Sequence, residues 1–192
     1  MPQPDARAQL PATQRAMEAG IMAGMVAAVP MGLLALTASA TIEHDGFFTP
    51  VYRVVSILDP APLFVSLQEA ATVSQFYFDQ QPMFAGGAAH LAVGSFFGAV
   101  FALLARRLRL HGPAALAGGV VYGLAVMTFM ALAGLPLVAL VLGGGEVITN
   151  LPGDLGWLTF GAAHALYGLV LGAWILWRPG DLALATEPAS GR

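Results

Sequence analysis

The sequence predicts an all-α integral membrane protein, a bundle of four transmembrane helices. Of its 192 residues, 57% are hydrophobic and only 10% are charged, whereas a soluble domain carries about 25% charge. Four apolar runs each reach the roughly 20 residues that cross the hydrocarbon of a bilayer as a helix. A short phrase with one histidine and two glycines occurs twice, in the second and fourth runs.

Each of the four runs is expected to form a helix, because backbone polar groups in lipid must be satisfied within their own segment. Trp157 and Trp177 bracket the fourth run, as interfacial aromatic residues do. Residues 19–177 therefore form one membrane domain, between a cytoplasmic N-terminal segment of residues 1–18 and a flexible cytoplasmic tail of residues 178–192. The four spans lie at about residues 19–40, 84–105, 114–142 and 157–177.

The first run has a second interpretation. Ala38-Ser39-Ala40 fits the small-residue pattern of a signal-peptide cleavage site. However, the run is longer than the usual apolar region of about 7–15 residues, and a long segment precedes it. It also carries a stripe of small residues four apart, which is typical of a packed membrane helix. The sequence therefore favours a retained first span.

The arginines predict the orientation of the chain. All eight basic residues are Arg, and seven of them lie in segments on one side of the predicted spans. The positive-inside rule places those segments and both termini in the cytoplasm, for a protein of the inner (plasma) membrane. The use of Arg without Lys, together with abundant Ala and Gly, points to a bacterial source. The eighth, Arg53, lies on the outer side with most of the acidic residues. The seven are Arg7, Arg15, Arg106, Arg107, Arg109, Arg178 and Arg192.

The outer segment of residues 41–83 is too long for a turn and too apolar to be disordered. Thr49-Pro50 predicts a helix N-cap followed by proline at the first helical position, and Asp59-Pro60 predicts the end of that helix. A second helical pattern follows. Because both pieces are too short to span, we expect two amphipathic helices on the outer membrane face or folded over the bundle. They form either an ordered cap or a lid over a pocket.

The repeated phrase predicts an internal duplication. Residues 88–99 and 162–173 share the pattern AAH-x3-G-x3-GA at a spacing of 74 residues. A weaker match relates the first span to the third at a spacing of 96 residues. Each half enters from the cytoplasm and returns, so the helix pairs are parallel repeats around an axis along the membrane normal. The weaker match aligns Met31, Ala35 and Leu36 with Met127, Ala131 and Leu132.

Glycines predict how the helices pack. Glycines four residues apart share one helix face and let backbones approach closely, a main source of helix association in lipid. We expect the second span to face the first or its pseudo-symmetric counterpart, and the fourth to face the third. The same faces predict self-association or assembly with other membrane subunits. The helix-packing glycines are Gly20, Gly24, Gly32, Gly94, Gly98, Gly119, Gly123, Gly168 and Gly172.

His90 and His164 lie about seven residues inside the outer helix ends, roughly 10 Å deep at 1.5 Å per residue. Ionisable groups at such depth usually face the bundle interior. Three interpretations stay open: neutral imidazoles bonded to hydroxyls of neighbouring helices, a pair of haem ligands with Gly94 and Gly168 leaving room for the ring, or proton or solute passage. The candidate hydroxyls belong to Ser95, Thr128, Thr159 and Tyr167.

Other chemistry has little support. The chain has no Cys, which excludes disulfides, iron–sulfur clusters and zinc–thiolate sites. A formal net charge of −3 without an extended basic patch argues against a nucleic-acid partner. No catalytic triad, phosphate-binding loop or pair of catalytic carboxylates is defined by the spacing. The charges beside His44 favour a solvated loop over a metal site. The sequence predicts no catalytic or metal-ligating residue.

The two helix pairs, each with a small-residue-rich first helix and a His-x3-Gly-x3-Gly second helix, resemble small bacterial inner-membrane proteins with two repeated helix pairs. The resemblance covers most of residues 19–177 and implies four spans without a particular activity. The favoured function is a non-enzymatic structural or accessory subunit, or a small-solute permeation unit, with membrane lipid as partner and no cofactor. The alternative is a b-type haem protein for electron transfer, with His90 and His164 as ligands.

Overall fold

The computed structural model describes residues 11–143 and 145–177, and within these residues the secondary structure is entirely helical. The predicted tail of residues 178–192 and most of the predicted N-terminal segment lie outside the described residues. The helices are α1 Ala12–Thr41, α2 Thr49–Val55, α3 Ala61–Thr72, α4 Gln80–Arg107, α5 Pro113–Phe129, α6 Leu135–Leu142, α7 Gly145–Thr149, α8 Leu151–Asp154 and α9 Trp157–Trp177.

Four helices are long and apolar enough to cross a membrane, which confirms the main prediction of the sequence. The third of them runs from Pro113 to Leu142 and combines α5 and α6. α4 begins at Gln80, before the apolar run, because the Asp79 side chain accepts a hydrogen bond from the Gln81 N–H at 3.3 Å. Such a cap satisfies one of the free N–H groups of the first turn.

The long helices form two antiparallel pairs. α1 packs chiefly against α4, and α5 packs chiefly against α9, while contacts between α1 and α9 join the pairs. The shared core contains Ala27 of α1, Phe101 of α4 and Leu171 of α9. Two tyrosines add hydrogen bonds between the pairs. The Tyr122 hydroxyl donates to the Phe97 carbonyl at 2.7 Å, and the Tyr167 hydroxyl donates to the Gly94 carbonyl at 2.6 Å.

Glycines form the interface between α1 and α4. A Cβ added to Gly20 would lie 2.6 Å from the Ala102 Cβ and 2.6 Å from the Gly98 carbonyl oxygen. Gly24 and Gly94 lie against each other in the same way, backbone to backbone. The helices approach so closely here that no side chain fits between them, which is the arrangement that small-residue motifs produce in lipid.

The interface between α5 and α9 repeats this arrangement. Gly119 lies against Gly168, Gly172 lies against Ala115, and Gly123 lies against the His164 backbone. One predicted packing residue behaves differently. The nearest group to Gly32 is a ring, the His90 imidazole, whose Nε2 would lie 3.3 Å from an added Cβ. Gly32 therefore makes room for a side chain and not for a neighbouring helix backbone.

These contacts relate the two helix pairs residue by residue. Gly24 contacts Gly94 as Gly119 contacts Gly168. Gly168 follows Gly94 by 74 residues, as in the repeated phrase, but Gly119 follows Gly24 by 95 residues. The contacts thus differ by one residue from the spacing of 96 predicted from the apolar side chains. The contacts between small residues give the register of the two helix pairs.

The third span changes its helical winding in the middle. Met130–Gly134 is π-helical, between α5 and α6 and two residues before Pro136. Proline has no N–H, and its ring clashes with the carbonyl four residues earlier. A wider π-turn accommodates that clash, and such turns are a common cause of bends. By contrast, α1 remains α-helical through Pro30.

The outer segment contains the two short helices that the sequence predicts, with α2 packed on α4 and α1, and α3 packed on α2. The prediction that Thr49 is the N-cap is wrong, because Phe48 occupies that position and makes no side-chain cap. The buried Thr49 hydroxyl instead hydrogen-bonds the Ser66 hydroxyl at 2.9 Å, which joins α2 to α3. Pro50 lies in the first turn of α2 as predicted.

Candidate functional site

A cavity of about 420 Å³ lies between α4 and the third span, with α2 and the segment from α7 to α9 completing its wall. We call it the histidine cavity, because both His90 and His164 line it. Apart from these two imidazoles and the hydroxyl of Tyr167, its lining side chains are apolar. Met130 and Leu135 contribute to the wall, so the π-turn of the third span shapes the site.

The histidine cavity reaches the molecular surface. Four of its lining residues are exposed: Ala89, Leu58 at 82%, Val93 at 47% and Leu142 at 59%. Val93 is on α4 and Leu142 ends α6, so the opening lies between these two helices. The cavity is therefore open at the surface of the bundle.

A second cavity, of about 290 Å³, adjoins the first. It lies between α1, α2, α4 and α9, and it shares His90, Met31 and Phe160 with the histidine cavity. Its only ionisable lining side chain within the described residues is His90. His90 thus stands between two apolar spaces, whereas His164 lines only the larger one.

His164 is buried, with 4% of its surface exposed. Its Nδ1 lies 2.8 Å from the Phe160 carbonyl oxygen of the same helix, and its ring contacts the Phe160 ring in a tilted arrangement, at a centroid distance of 4.3 Å and an interplanar angle of 58°. A carbonyl oxygen can only accept a hydrogen bond, so Nδ1 carries the proton. The neutral ring then has its lone pair on Nε2, the atom farthest from the helix backbone.

His90 uses its other ring nitrogen, Nε2, for its hydrogen bond to the backbone. Its Nε2 lies 3.0 Å from the Ala28 carbonyl oxygen of α1 and donates to it. The Nε2–Cδ2 edge of the ring faces Gly32 of α1, at 3.3 and 3.6 Å from an added Cβ. Nδ1 is the ring atom opposite that edge, so the lone pair of the neutral imidazole is directed away from α1.

The prediction that these histidines bond to hydroxyl groups is wrong, because both bond to backbone carbonyls. Thr128 donates to a carbonyl of its own helix, and Tyr167 donates to Gly94. The Ser95 hydroxyl is buried without a hydrogen-bond partner among the described residues. Carbonyl oxygens lie at every turn of a neighbouring helix, so they compete with scarce hydroxyls for any buried N–H.

The geometry does not match the expected pair of haem ligands. The Nε2 of His90 is already committed to the Ala28 carbonyl. The faces of Gly94 and Gly168, expected to leave room for the porphyrin, are filled by α1 and α5. Within the described residues, no group of three or more His, Asp or Glu side chains is placed to hold a metal ion. The haem hypothesis remains a prediction, tested by the absorption spectrum of protein expressed with haem supplied.

A buried ion-pair cluster at the outer end of the bundle was not predicted. Arg53 of α2 is 7% exposed; its Nη2 lies 3.0 Å from an oxygen of Asp45, and its Nη1 bonds to Asp154 of α8. The cluster joins the outer segment of the first half to the outer segment of the second. The available signal was the presence of one arginine among the acidic residues of this side.

Comparisons with protein-family models, with curated proteins and with solved structures found no match. The class of protein is therefore argued from the fold and the cavity alone. The described part of the chain is all-helical, with four helices long and apolar enough to cross a membrane, and two of its histidines line an apolar cavity.

Proposed function

We propose that the protein is a non-enzymatic four-span membrane protein that takes up a membrane-soluble small molecule in the histidine cavity. One observation carries this proposal: the cavity of about 420 Å³ has an apolar wall and opens between α4 and α6. Small-molecule sites typically measure about 300–1,000 Å³ and combine an apolar lining with a few placed polar groups. Of the predicted functions, this supports the small-solute unit over the structural or accessory subunit.

The chemistry of the lining favours an uncharged solute. An ion that leaves water must exchange its hydration shell for carbonyls or charged side chains. The histidine cavity offers hydrocarbon and aromatic surface with two imidazoles. A charged solute would lose far more solvation free energy than these groups return.

We propose the bacterial inner membrane as the location, with both termini in the cytoplasm. At one end of the bundle Arg106 donates to the Thr13 hydroxyl at 2.9 Å, so the start of α1 and the end of α4 lie together. Arg15, Arg107 and Arg109 belong to the same end. At the other end, Arg53 is neutralised by Asp45 and Asp154. This clustering of arginines at the end opposite Arg53 supports the positive-inside orientation.

We also propose that the chain arose by duplication of a helix pair. The reciprocal contact of Gly24 with Gly94 and that of Gly119 with Gly168 support it, because equivalent glycines meet in both pairs. These glycine faces are already buried in helix contacts within the chain. Assembly with a second copy or another subunit would therefore use the exposed apolar faces of the spans and not the glycines.

An apolar probe tests the cavity. In nanodiscs of phosphatidylcholine, pentylbenzene should raise the thermal unfolding midpoint of the protein. Val126→Phe fills the cavity, because Val126 is 7% exposed and lines it. We expect this variant to lose the response. Val121→Phe is the matched control, since Val121 is on the same helix but 67% exposed, and it should respond like the parent protein.

Two outcomes would contradict the proposal. The first is no response of the parent protein to pentylbenzene, which would favour a purely structural or accessory role. The second is a full response of Val126→Phe, which would place the probe elsewhere. Ala89→Phe, at the exposed rim of the same cavity, repeats the test without adding volume to the buried core.

A further inference from the structure

Each of the two histidines that line the larger cavity has one ring nitrogen without a partner among the described residues. His164 uses Nδ1 on the Phe160 carbonyl, and His90 uses Nε2 on the Ala28 carbonyl. Within residues 11–143 and 145–177, the remaining nitrogens, Nε2 of His164 and Nδ1 of His90, form no hydrogen bond. Both residues line the histidine cavity. Two polar atoms of an otherwise apolar lining thus have no hydrogen-bond partner among the described residues.

Both of these nitrogens are acceptors. Within the part of the chain that the structure describes, neither imidazole forms an ion pair with a carboxylate. Protonating a second nitrogen would leave an unpaired charge in an apolar wall, which is costly. The neutral rings therefore offer lone pairs, because each already donates its single N–H to a backbone carbonyl.

Tyr167, the third polar side chain that lines the cavity, offers no free hydrogen-bond donor either. The Tyr167 hydroxyl donates its only proton to the Gly94 carbonyl at 2.6 Å. Among the described lining residues, no side chain has a free donor. A ligand that carries only acceptors, such as a ketone or an ether, would place its lone pairs against those of the imidazoles. Only a ligand that donates can satisfy the site.

The aromatic residues of the lining also favour a hydrogen-bond donor that carries an aromatic ring. Phe97, Phe160 and Tyr167 line the same cavity, and the Phe160 ring contacts the His164 ring in a tilted arrangement. Aromatic rings gain additional attraction from the edges and faces of another ring. An aromatic ring with a hydroxyl and an apolar tail would bury its ring against these residues, with the hydroxyl next to an imidazole nitrogen.

We propose that the ligand of the histidine cavity is a lipid-soluble phenol or hydroquinone, whose hydroxyl donates to Nε2 of His164, with Nδ1 of His90 accepting from a second hydroxyl where the ligand has one. This inference rests on the proposed function, since it specifies the molecule that the cavity takes up. It concerns binding and requires no change of the ligand.

Three probes that differ in one group test it. Para-pentylphenol carries a donor, para-pentylanisole replaces the donor by a methyl ether, and pentylbenzene has neither. Their dissociation constants are measured in phosphatidylcholine nanodiscs at equal concentrations within the bilayer. A net hydrogen bond predicts that the phenol binds about three- to tenfold more tightly than the ether. Equal or tighter binding of the ether would overturn the inference.

Variants connect the preference to the histidines. The His90→Phe/His164→Phe double variant keeps aromatic rings and removes both acceptors, so the phenol should lose its advantage while pentylbenzene still binds. His111→Phe is the control, because His111 is exposed in the loop between α4 and α5, and it should keep the full preference. A phenol preference that persists in the double variant would overturn the inference.

The outcomes separate the two proposals. Failure of all three probes to bind the parent protein would contradict the proposed function itself. Equal binding of all three would leave the cavity function intact and contradict the donor inference alone. If the double variant does not bind pentylbenzene, the His164→Phe single variant decides by the same comparison of phenol with ether.

Discussion

Gly98 and Gly87 lie on the same helix but in opposite surroundings. A Cβ on Gly98 would lie 2.5 Å from the Gly24 Cα and 2.7 Å from its nitrogen, whereas a Cβ on Gly87 would meet nothing within 4 Å. An added methyl group would therefore collide with the neighbouring helix at Gly98, whereas it would be accommodated at Gly87. The first position is held by backbone atoms of a neighbouring helix, which cannot move aside as a flexible side chain can.

This contrast gives a prediction. Gly98→Ala should lower the free energy of unfolding by about 1–3 kcal/mol, because the added methyl forces α1 and α4 apart. Gly87→Ala should leave it unchanged or raise it by up to about 1 kcal/mol through better helix propensity. Thermal unfolding of both variants in the same detergent measures the difference. Equal midpoints would contradict the glycine interface.

At the scale of elements, the outer helices are tied to the bundle by charge. Arg53 of α2 pairs with Asp45 before it in the chain and with Asp154 of α8, far along the sequence. The guanidinium is almost fully buried, whereas the two carboxylates are partly exposed. The arrangement holds the short α2 against the segment that precedes α9, next to the mouth of the histidine cavity.

Arg53→Met should therefore lower the free energy of unfolding by about 1–3 kcal/mol. The loss of one partner of a fully buried pair costs about 3–5 kcal/mol, and the exposure of the two carboxylates reduces that figure. Arg107→Met, at an exposed arginine of the other end, is the matched control and should have little effect. A double-mutant cycle with Asp154→Asn measures the coupling. Additive effects of the two substitutions would contradict a direct pair.

The elements differ in how far local sequence determines them. The four spans follow from apolar length, and the glycine faces follow from a spacing of four, so both were predictable. Pro50 and Pro60 marked the outer helices. The pairing of Arg53 with Asp154 was not predictable, because Asp154 is 101 residues away and only the folded chain brings them together.

The site was predictable only in part. The sequence identified His90 and His164 by their depth, but no local pattern shows which carbonyl each imidazole meets. Those bonds fix which nitrogen is free, and hence the hydrogen-bonding character of the cavity. The cavity itself lies between α4 and the third span, beside the π-helical segment Met130–Gly134. Pro136 marked that place without specifying its geometry.

At the scale of the whole molecule, the account depends on four crossings of a membrane. The bundle exposes large apolar side chains along its outside, among them Leu132 at 74% and Leu140 at 82%. In water this surface would favour aggregation, whereas in lipid it is the normal outer face of a span. The cavity opening between α4 and α6 would then face hydrocarbon, which is the environment from which a lipid-soluble ligand enters.

Cysteine labelling in intact cells tests the four crossings most directly, because the natural chain has no Cys and each introduced thiol is the only one present. The Gln68→Cys variant places a thiol on the exposed surface of α3, and the His111→Cys variant places one in the exposed loop between α4 and α5. A membrane-impermeant maleimide should label the first variant from outside, and the second only after the membrane is broken. Labelling of both variants from outside, or of neither, would contradict the four-span arrangement.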